Sequence, residues 1–260
     1  MRNVLQSLRL VQPLAAYSLT QQSLIFSGFA FHWFQPVAIL MFSGGFVAYN
    51  YFTAGLLMRF SAAAVFIFFF MMMNPGIHLL ILLSVTGMLA WLYLKGTVSF
   101  GLRSLPIRKV PFLKTLLLTV IWTLATAVVP LANQVSGSEL TIETTARFLF
   151  LFPVIIASDR IDFEKDKAAG VLSLPVITGE KKSRWITGIL LLIYLLLIEF
   201  VYLPAENHLQ DSAMEILILV SAGLTGSLCL ANLKNKILHR ILVDLSVSSM
   251  FLMMILISAC

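Results

Sequence analysis

The chain has 260 residues, 59% of them hydrophobic and 12% charged, with a formal net charge of +6 and a mean hydropathy of +0.94. A water-soluble domain carries roughly 25% charged residues, so this composition excludes one and describes a polytopic membrane protein. The positive balance is read by position along the loops, and nucleic-acid binding is set aside.

Residues 1–22 carry Arg2 and Arg9, but the apolar stretch runs on without a small-residue cleavage site, so no removable signal is expected. Apolar runs of near-spanning length recur about nine times, at roughly 10–31, 36–54, 60–73, 77–94, 112–132, 143–158, 184–203, 212–231 and 239–258. The third is short, and Pro75-Gly76 marks a tight turn after it. The loops test the count independently. With nine spans, Arg2, Arg9, Arg59, Lys95, Arg103, Arg108, Lys109, Arg160, Lys165, Lys167, Lys181, Lys182, Lys234 and Lys236 share one side. The opposite loops carry no Lys or Arg, and only Arg147, near the end of the sixth span, departs from the pattern. An N-terminus in the cytoplasm and a C-terminus outside the cell membrane are therefore predicted. Residues 1–260 read as one domain, with weak pseudo-halves at about 1–94 and 95–260.

Cys229 and Cys260 lie in or at the end of apolar segments, with no metal spacing and no case for a disulfide. No Gly-rich phosphate loop, catalytic triad or His/Cys cluster is present, which argues against ATP-driven transport and zinc chemistry. Glu199 and Asp244 fall within spans. Glu199 is expected near the interface, and Asp244 is expected to pair with Arg240 at i,i+4. Trp91, Tyr93 and Trp185 suit an aromatic belt. Phe68-Phe69-Phe70 and Met71-Met72-Met73 suit lipid-facing or packing surface, or the lining of an apolar tunnel.

The densest charge runs from Ser158 to Gly170, S-D-R-I-D-F-E-K-D-K-A-A-G. Asp159, Asp162 and Asp166 sit at i, i+3 and i+7, so a helix continuing through them places three carboxylates on one face. Asp162 and Asp166 are like charges at i,i+4, a cost that a bound cation removes. Oxygen-only ligands suit a hard ion such as Mg²⁺, which takes one or two carboxylates plus substrate phosphates. The alternative is a solvated turn in which Arg160 and Glu164 form a surface pair. The basic residues predicted on the same side make a diphosphate site plausible, although topology alone also accounts for them.

The run continues V-L-S-L-P-V-I-T-G to Gly179. The combined stretch closely resembles the second aspartate-rich motif of the UbiA superfamily of intramembrane prenyltransferases. Asp162 and Asp166 match its paired aspartates, and Asp159 matches the extra upstream aspartate. The segment Arg108-Lys109-Val110-Pro111-Phe112-Leu113-Lys114, with Trp122, Thr126 and Pro130 beyond, resembles that family's fourth-to-fifth helix region. The resemblance implies an all-α bundle of nine transmembrane helices around a central cavity. It also implies an Mg²⁺-assisted transfer of a polyprenyl group from its diphosphate to a lipophilic acceptor, aromatic or quinone-precursor. It assigns Asp159, Asp162 and Asp166 to the metal and Arg103, Lys109 and Lys114 to the diphosphate. The family's first motif, NDxxDxxxD, is degenerate here. The matching stretch reads N-Y-F-T-A-G-L-L-M-R, keeping Asn50 while Tyr51, Ala54 and Met58 replace the aspartates. Asn50 is a candidate ligand or helix cap, and Arg59 a candidate fixed cation in place of the missing clamp. With one metal wall gone, a protein that binds a prenyl lipid or its diphosphate without turnover is the second reading.

Overall fold

The structure, a computed structural model, describes residues 11–29, 32–50, 56–73, 76–96, 98–100, 103–106, 109–198, 200, 222–231, 235–236, 238–243 and 247, without the side chains of 26, 56–59, 98–100 and 103–105. In chain order the elements are α1 (Val11–Phe26), α2 (Pro36–Asn50), α3 (Leu56–Met72), α4 (Ile77–Lys95), β1 (Val98–Phe100) and β2 (Arg103–Leu105). There follow α5 (Leu113–Thr123, running through a π-turn at Leu124–Val128 into Val129–Leu131), α6 (Gly137–Ile161), α7 (Phe163–Ala168), α8 (Leu174–Thr178) and α9 (Glu180–Leu197). Residues 222–230 and 238–243 are also helical.

Helices at the places of all seven leading spans match the sequence expectation, and 222–230 and 238–243 fall inside the last two predicted stretches. Three of them, Ile77–Lys95, Leu113–Leu131 and Gly137–Ile161, are both long and apolar enough to cross a membrane. At 25 residues and 1.5 Å per residue, α6 is about 37 Å long, more than the hydrocarbon thickness. It starts at Gly137, earlier than the predicted 143, because Ser136 and Glu139 form a capping box. The Ser136 hydroxyl accepts from the Glu139 N–H, and the Glu139 carboxylate accepts from the Ser136 N–H at 2.9 Å.

One local feature departs from an all-α chain. The loop after α4 folds back as an antiparallel β1–β2 pair, with Val98 opposite Leu105 and Phe100 opposite Arg103. Gly96, in the left-handed conformation at φ 70°, ends α4 and turns the chain into this hairpin.

Three apolar clusters organise the described helices, the smallest being Leu24, Val37 and Leu131. In the largest, Leu19 of α1, Phe150 and Val154 of α6, Leu191 and Tyr194 of α9, and Ala222 and Cys229 pack together. In the second, Ala16 of α1, Leu40 and Met41 of α2, Leu79 of α4 and Val129 of α5 meet. The Phe-Met run divides by face. Phe69, Phe70 and Met73 pack on the second cluster, whereas Phe68, Met71 and Met72 are exposed, as a lipid-facing surface requires.

The departure at Arg147 has a structural reason. Arg147 is buried and pairs with Glu143 one turn earlier on α6 at 3.1 Å. It also donates to Gln22 Oε1 at 2.7 Å and to Ser23 Oγ at 2.9 Å on α1. Its charge is compensated inside the bundle and does not belong to a loop at all. Glu199, Asp244 and most of the first-motif stretch lie outside the described residues.

Candidate functional site

The site is built where α5 begins and α6 ends. Lys114, in the first turn of α5, donates to Asp159 Oδ1 at 2.8 Å and to Asp166 Oδ2 at 2.5 Å. Thr115, the next residue, donates its hydroxyl to Asp159 Oδ2 at 2.6 Å. Both oxygens of Asp159 are thus engaged, and its side chain is 5% exposed. Thr115 differs from Thr119 and Thr126, whose hydroxyls bond back to the carbonyl four residues earlier. Its hydroxyl also lies 3.4 Å from the Leu174 N–H, which ties α5 to α8.

Asp166 reaches this cluster because the helix does not continue through the aspartates. The expected single face is corrected here: α6 ends at Ile161, Asp162 adopts φ −89° and ψ 5°, and α7 starts anew at Phe163. The break swings Asp166 towards Lys114 and sends Asp162 elsewhere. Asp162 Oδ1 instead accepts from Arg240 at 2.6 Å, the arginine expected to pair with Asp244.

The two motif glycines make the turn possible. At the end of α7 the Val171 N–H bonds Asp166 O and the Gly170 N–H bonds Lys167 O, a Schellman closure with Gly170 at φ 66°. Gly179 has φ 82° and ψ 157°, a conformation open essentially to glycine alone, and there α8 turns into α9. Pro175 occupies the first turn of α8, where its missing N–H costs nothing. The start of α5 is anchored as well. Phe112, at φ 61°, donates its N–H to Leu172 O.

One turn past Lys114 the same face of α5 becomes apolar. Leu118, Ile121, Trp122 and Ala125 line a cavity of about 530 Å³ shared with α1 to α4. The opposite wall includes Met41, Gly44, Phe66, Leu83 and Trp91. Within this apolar lining the Trp122 indole donates to the Tyr49 hydroxyl at 3.0 Å. The π-turn that follows at Leu124–Val128 precedes Pro130, and such turns commonly accommodate a proline or a functional site.

Of the residues singled out in the sequence, Asp159, Asp166 and Lys114 converge, and Asp162 sits beside them on Arg240. Lys109 is exposed on the loop before α5. Asn50 is the last residue of α2, fully buried and held by partners of its own. The side chains of Arg59 and Arg103 lie outside the described residues. Thr115, Arg240 and Tyr49 were not anticipated. For Thr115 a signal existed: Thr115, Thr119, Thr123 and Thr126 recur at helical spacing in an apolar segment and are all buried.

Among the described residues no three carboxylate, imidazole or thiol groups form a ready metal cage. The donor chemistry nevertheless fits a hard dication. Asp159 and Asp166 carry one more negative charge than Lys114 balances, and Asp162 Oδ2 and Asp166 Oδ1 are engaged by none of these ion pairs. Magnesium is usually held this way, by one or two carboxylates together with substrate phosphates.

Comparison with known proteins agrees with this construction. The model of the UbiA prenyltransferase family matches residues 50–253. No curated protein matches the chain. Among solved structures, the apo structure of a UbiA homolog from Aeropyrum pernix K1 superposes with a TM-score of 0.59 at 13% identity, covering 95% of this chain and 99% of that one. At that identity the likeness speaks for the fold. The all-helical membrane bundle, the carboxylate turn and the extent of the family match lead to one conclusion: this integral membrane protein belongs to the UbiA prenyltransferase family.

Proposed function

We propose that the protein binds a polyprenyl diphosphate and transfers its prenyl group to a lipophilic acceptor. The head would lie at the Lys114–Asp159–Asp166 cluster and the chain in the adjoining cavity. The observation that carries this reading is the face of α5. A charged head group, Lys114, lies one turn from Leu118 and the apolar ladder of Ile121, Trp122 and Ala125. That sequence of surfaces matches an amphiphile with an ionic head and a long apolar tail, and about 530 Å³ lies within the range of ligand cavities.

Asp162 and Asp166 are the residues that would hold Mg²⁺, since each has an oxygen outside the ion pairs. Bound with the diphosphate, the ion stabilises the charge that grows on the leaving oxygens. Asp159 plays a different part. With both oxygens engaged it fixes Lys114, so that the ammonium is held in one position a helical turn before the cavity lining begins at Leu118. Lys114 then supplies a fixed positive charge to the diphosphate, and the basic residues Lys109, Arg103 and Arg59 are further candidates for it. Asn50 is proposed as a polar contact at the end of α2. The apolar walls exclude water from the carbon that loses diphosphate, which favours capture by the acceptor over hydrolysis.

A second reading, binding without turnover, is favoured by the degenerate first motif together with Lys114, a built-in cation between two of the three aspartates. The test is Mg²⁺-dependent binding of geranylgeranyl diphosphate to the purified protein, beside Asp162→Ala and Asp166→Ala, with diphosphate release measured against a panel of quinone precursors. Metal-dependent binding that disappears in both variants, with release in the wild type, supports the transferase. Binding without release supports the second reading. No metal-dependent binding would refute the assignment of these aspartates to Mg²⁺.

A further inference from the structure

Among the buried charges of α6, Glu143, Arg147 and Asp159 are ion-paired and Arg160 is not. Arg160 follows Asp159 directly but points about 100° from it around the helix. It is 7% exposed, and both Nη1 and Nη2 are buried with no hydrogen-bond partner. The expected surface pair with Glu164 is not formed.

Its electrostatic neighbours are Arg184 and Glu180 in the first turns of α9 and the buried Cys229 of the 222–230 helix. Arg184 repeats the anomaly, because its Nε is also buried without a partner. Glu180 is exposed and makes no bond to either guanidinium. The chain enters α9 through Gly179, which offers no side-chain cap, so the first N–H groups of this 18-residue helix, the helix that carries Arg184, have no side-chain acceptor at the cap. The charges of Arg160 and the partly exposed Arg184 repel each other, and a buried charge without a partner, as at Arg160, is among the costliest arrangements in a fold. What resolves both is an anion between them. The planar donor fork of arginine matches phosphate oxygens.

We infer that Arg160, Arg184 and the first turn of α9 form a second anion site, specific for a phosphate group, distinct from the Lys114 cluster. Its ligand is a phosphate ester at the end of the α6–α9 seam, either the head group of an anionic phospholipid or a free phosphate. The site rests on the unpartnered guanidiniums and does not depend on the prenyl-diphosphate reading.

The experiment is a thermal-unfolding titration of the full chain in detergent, with dioctanoyl-phosphatidylglycerol in one arm and sodium phosphate in the other. Dioctanoyl-phosphatidylcholine and ionic-strength-matched chloride serve as controls. The expected result is a saturable rise of the melting temperature in at least one anionic arm. A rise with phosphate identifies a small-anion site, and a rise with the lipid alone identifies a head-group site. Arg160→Met should abolish the rise while melting above the wild type in the absence of anion, because it removes an unpaired buried charge. Arg184→Gln should weaken half-saturation about tenfold, and it carries the same test should Arg160→Met not fold. Lys114→Met should keep the response, which separates this site from the diphosphate site. No saturable rise in either arm, or a rise that survives Arg160→Met and Arg184→Gln unchanged, overturns the inference.

Discussion

The two ends of α6 carry the same kind of chemistry to opposite ends. Near its start, Glu143 and Arg147 pair with each other and with Gln22 and Ser23, one negative charge against one positive. In its last turns, Asp159 shares Lys114 with Asp166, two negative charges against one. Both clusters are buried and both join α6 to a neighbour. The first is electrically closed and serves to fix α1 against α6. The second is open by one charge and lies one helical turn of α5 from Leu118, the first α5 residue to line the apolar cavity. Burial and ion pairing therefore do not distinguish a staple from a site; the balance of charge does.

Lys114→Met would break this comparison most severely. It leaves Asp159 and Asp166 facing each other without a cation, and breaking a buried pair costs about 3–5 kcal/mol. Thermal unfolding should show a fall of that order, and diphosphate binding should be lost. Adding Asp159→Asn should recover a large part of the stability but none of the binding. Arg147→Met should cost nearly as much stability, since it strands Glu143, yet leave diphosphate affinity unchanged per folded molecule. The double variant Glu143→Met with Arg147→Met should regain most of the loss. If diphosphate affinity falls with Arg147→Met, the closed cluster is part of the site after all.

Smaller changes sharpen the contrast. Gly170→Ala forces a Cβ into the left-handed conformation at φ 66°, with nothing within 4 Å to clash. The cost is therefore backbone strain alone, about 1–2 kcal/mol. Because Gly170 closes the turn that aims Asp166, metal-dependent binding should weaken more than that loss of stability accounts for. Arg240→Ala should have the least effect. The pair with Asp162 is partly open to solvent, at 40% and 29% side-chain exposure, so about 1 kcal/mol or less is expected. Its removal should if anything strengthen Mg²⁺-dependent binding by freeing Asp162, which a titration of the ion would reveal.

Much of this was legible in the sequence. Apolar runs marked the helices because lipid and core demand the same residues at the same length, and the aspartate motif marked Asp159 and Asp166 as members of one cluster. The direction of each aspartate was not legible. Helical spacing grouped Asp162 with Asp166, but past the break at Asp162 the partner of Asp166 is Lys114, 52 residues before Asp166 in the chain. The partners of Arg147 and the burial of Arg160 were not legible for the same reason: a charge on an apolar helix cannot be placed until the facing helix is known. The short β1–β2 pair was missed because Val98–Leu105 carries no alternation of apolar and polar residues long enough to stand out.

The π-turn at Leu124–Val128 has a consequence for how this fold can vary. It holds one residue more than an α-helical turn, so it uncouples the register of α5 above and below it. Lys114, Leu118 and Trp122 answer to one phase, and Leu131, fully buried against Leu24 and Val37, answers to another. Deleting one residue between them would rotate the two segments against each other by about 100°. The turn acts as a slip ring. It allows the packing of Leu131 against Leu24 and Val37 to be remodelled by insertion or deletion while Lys114 and the cavity wall from Leu118 to Trp122 keep their bearing.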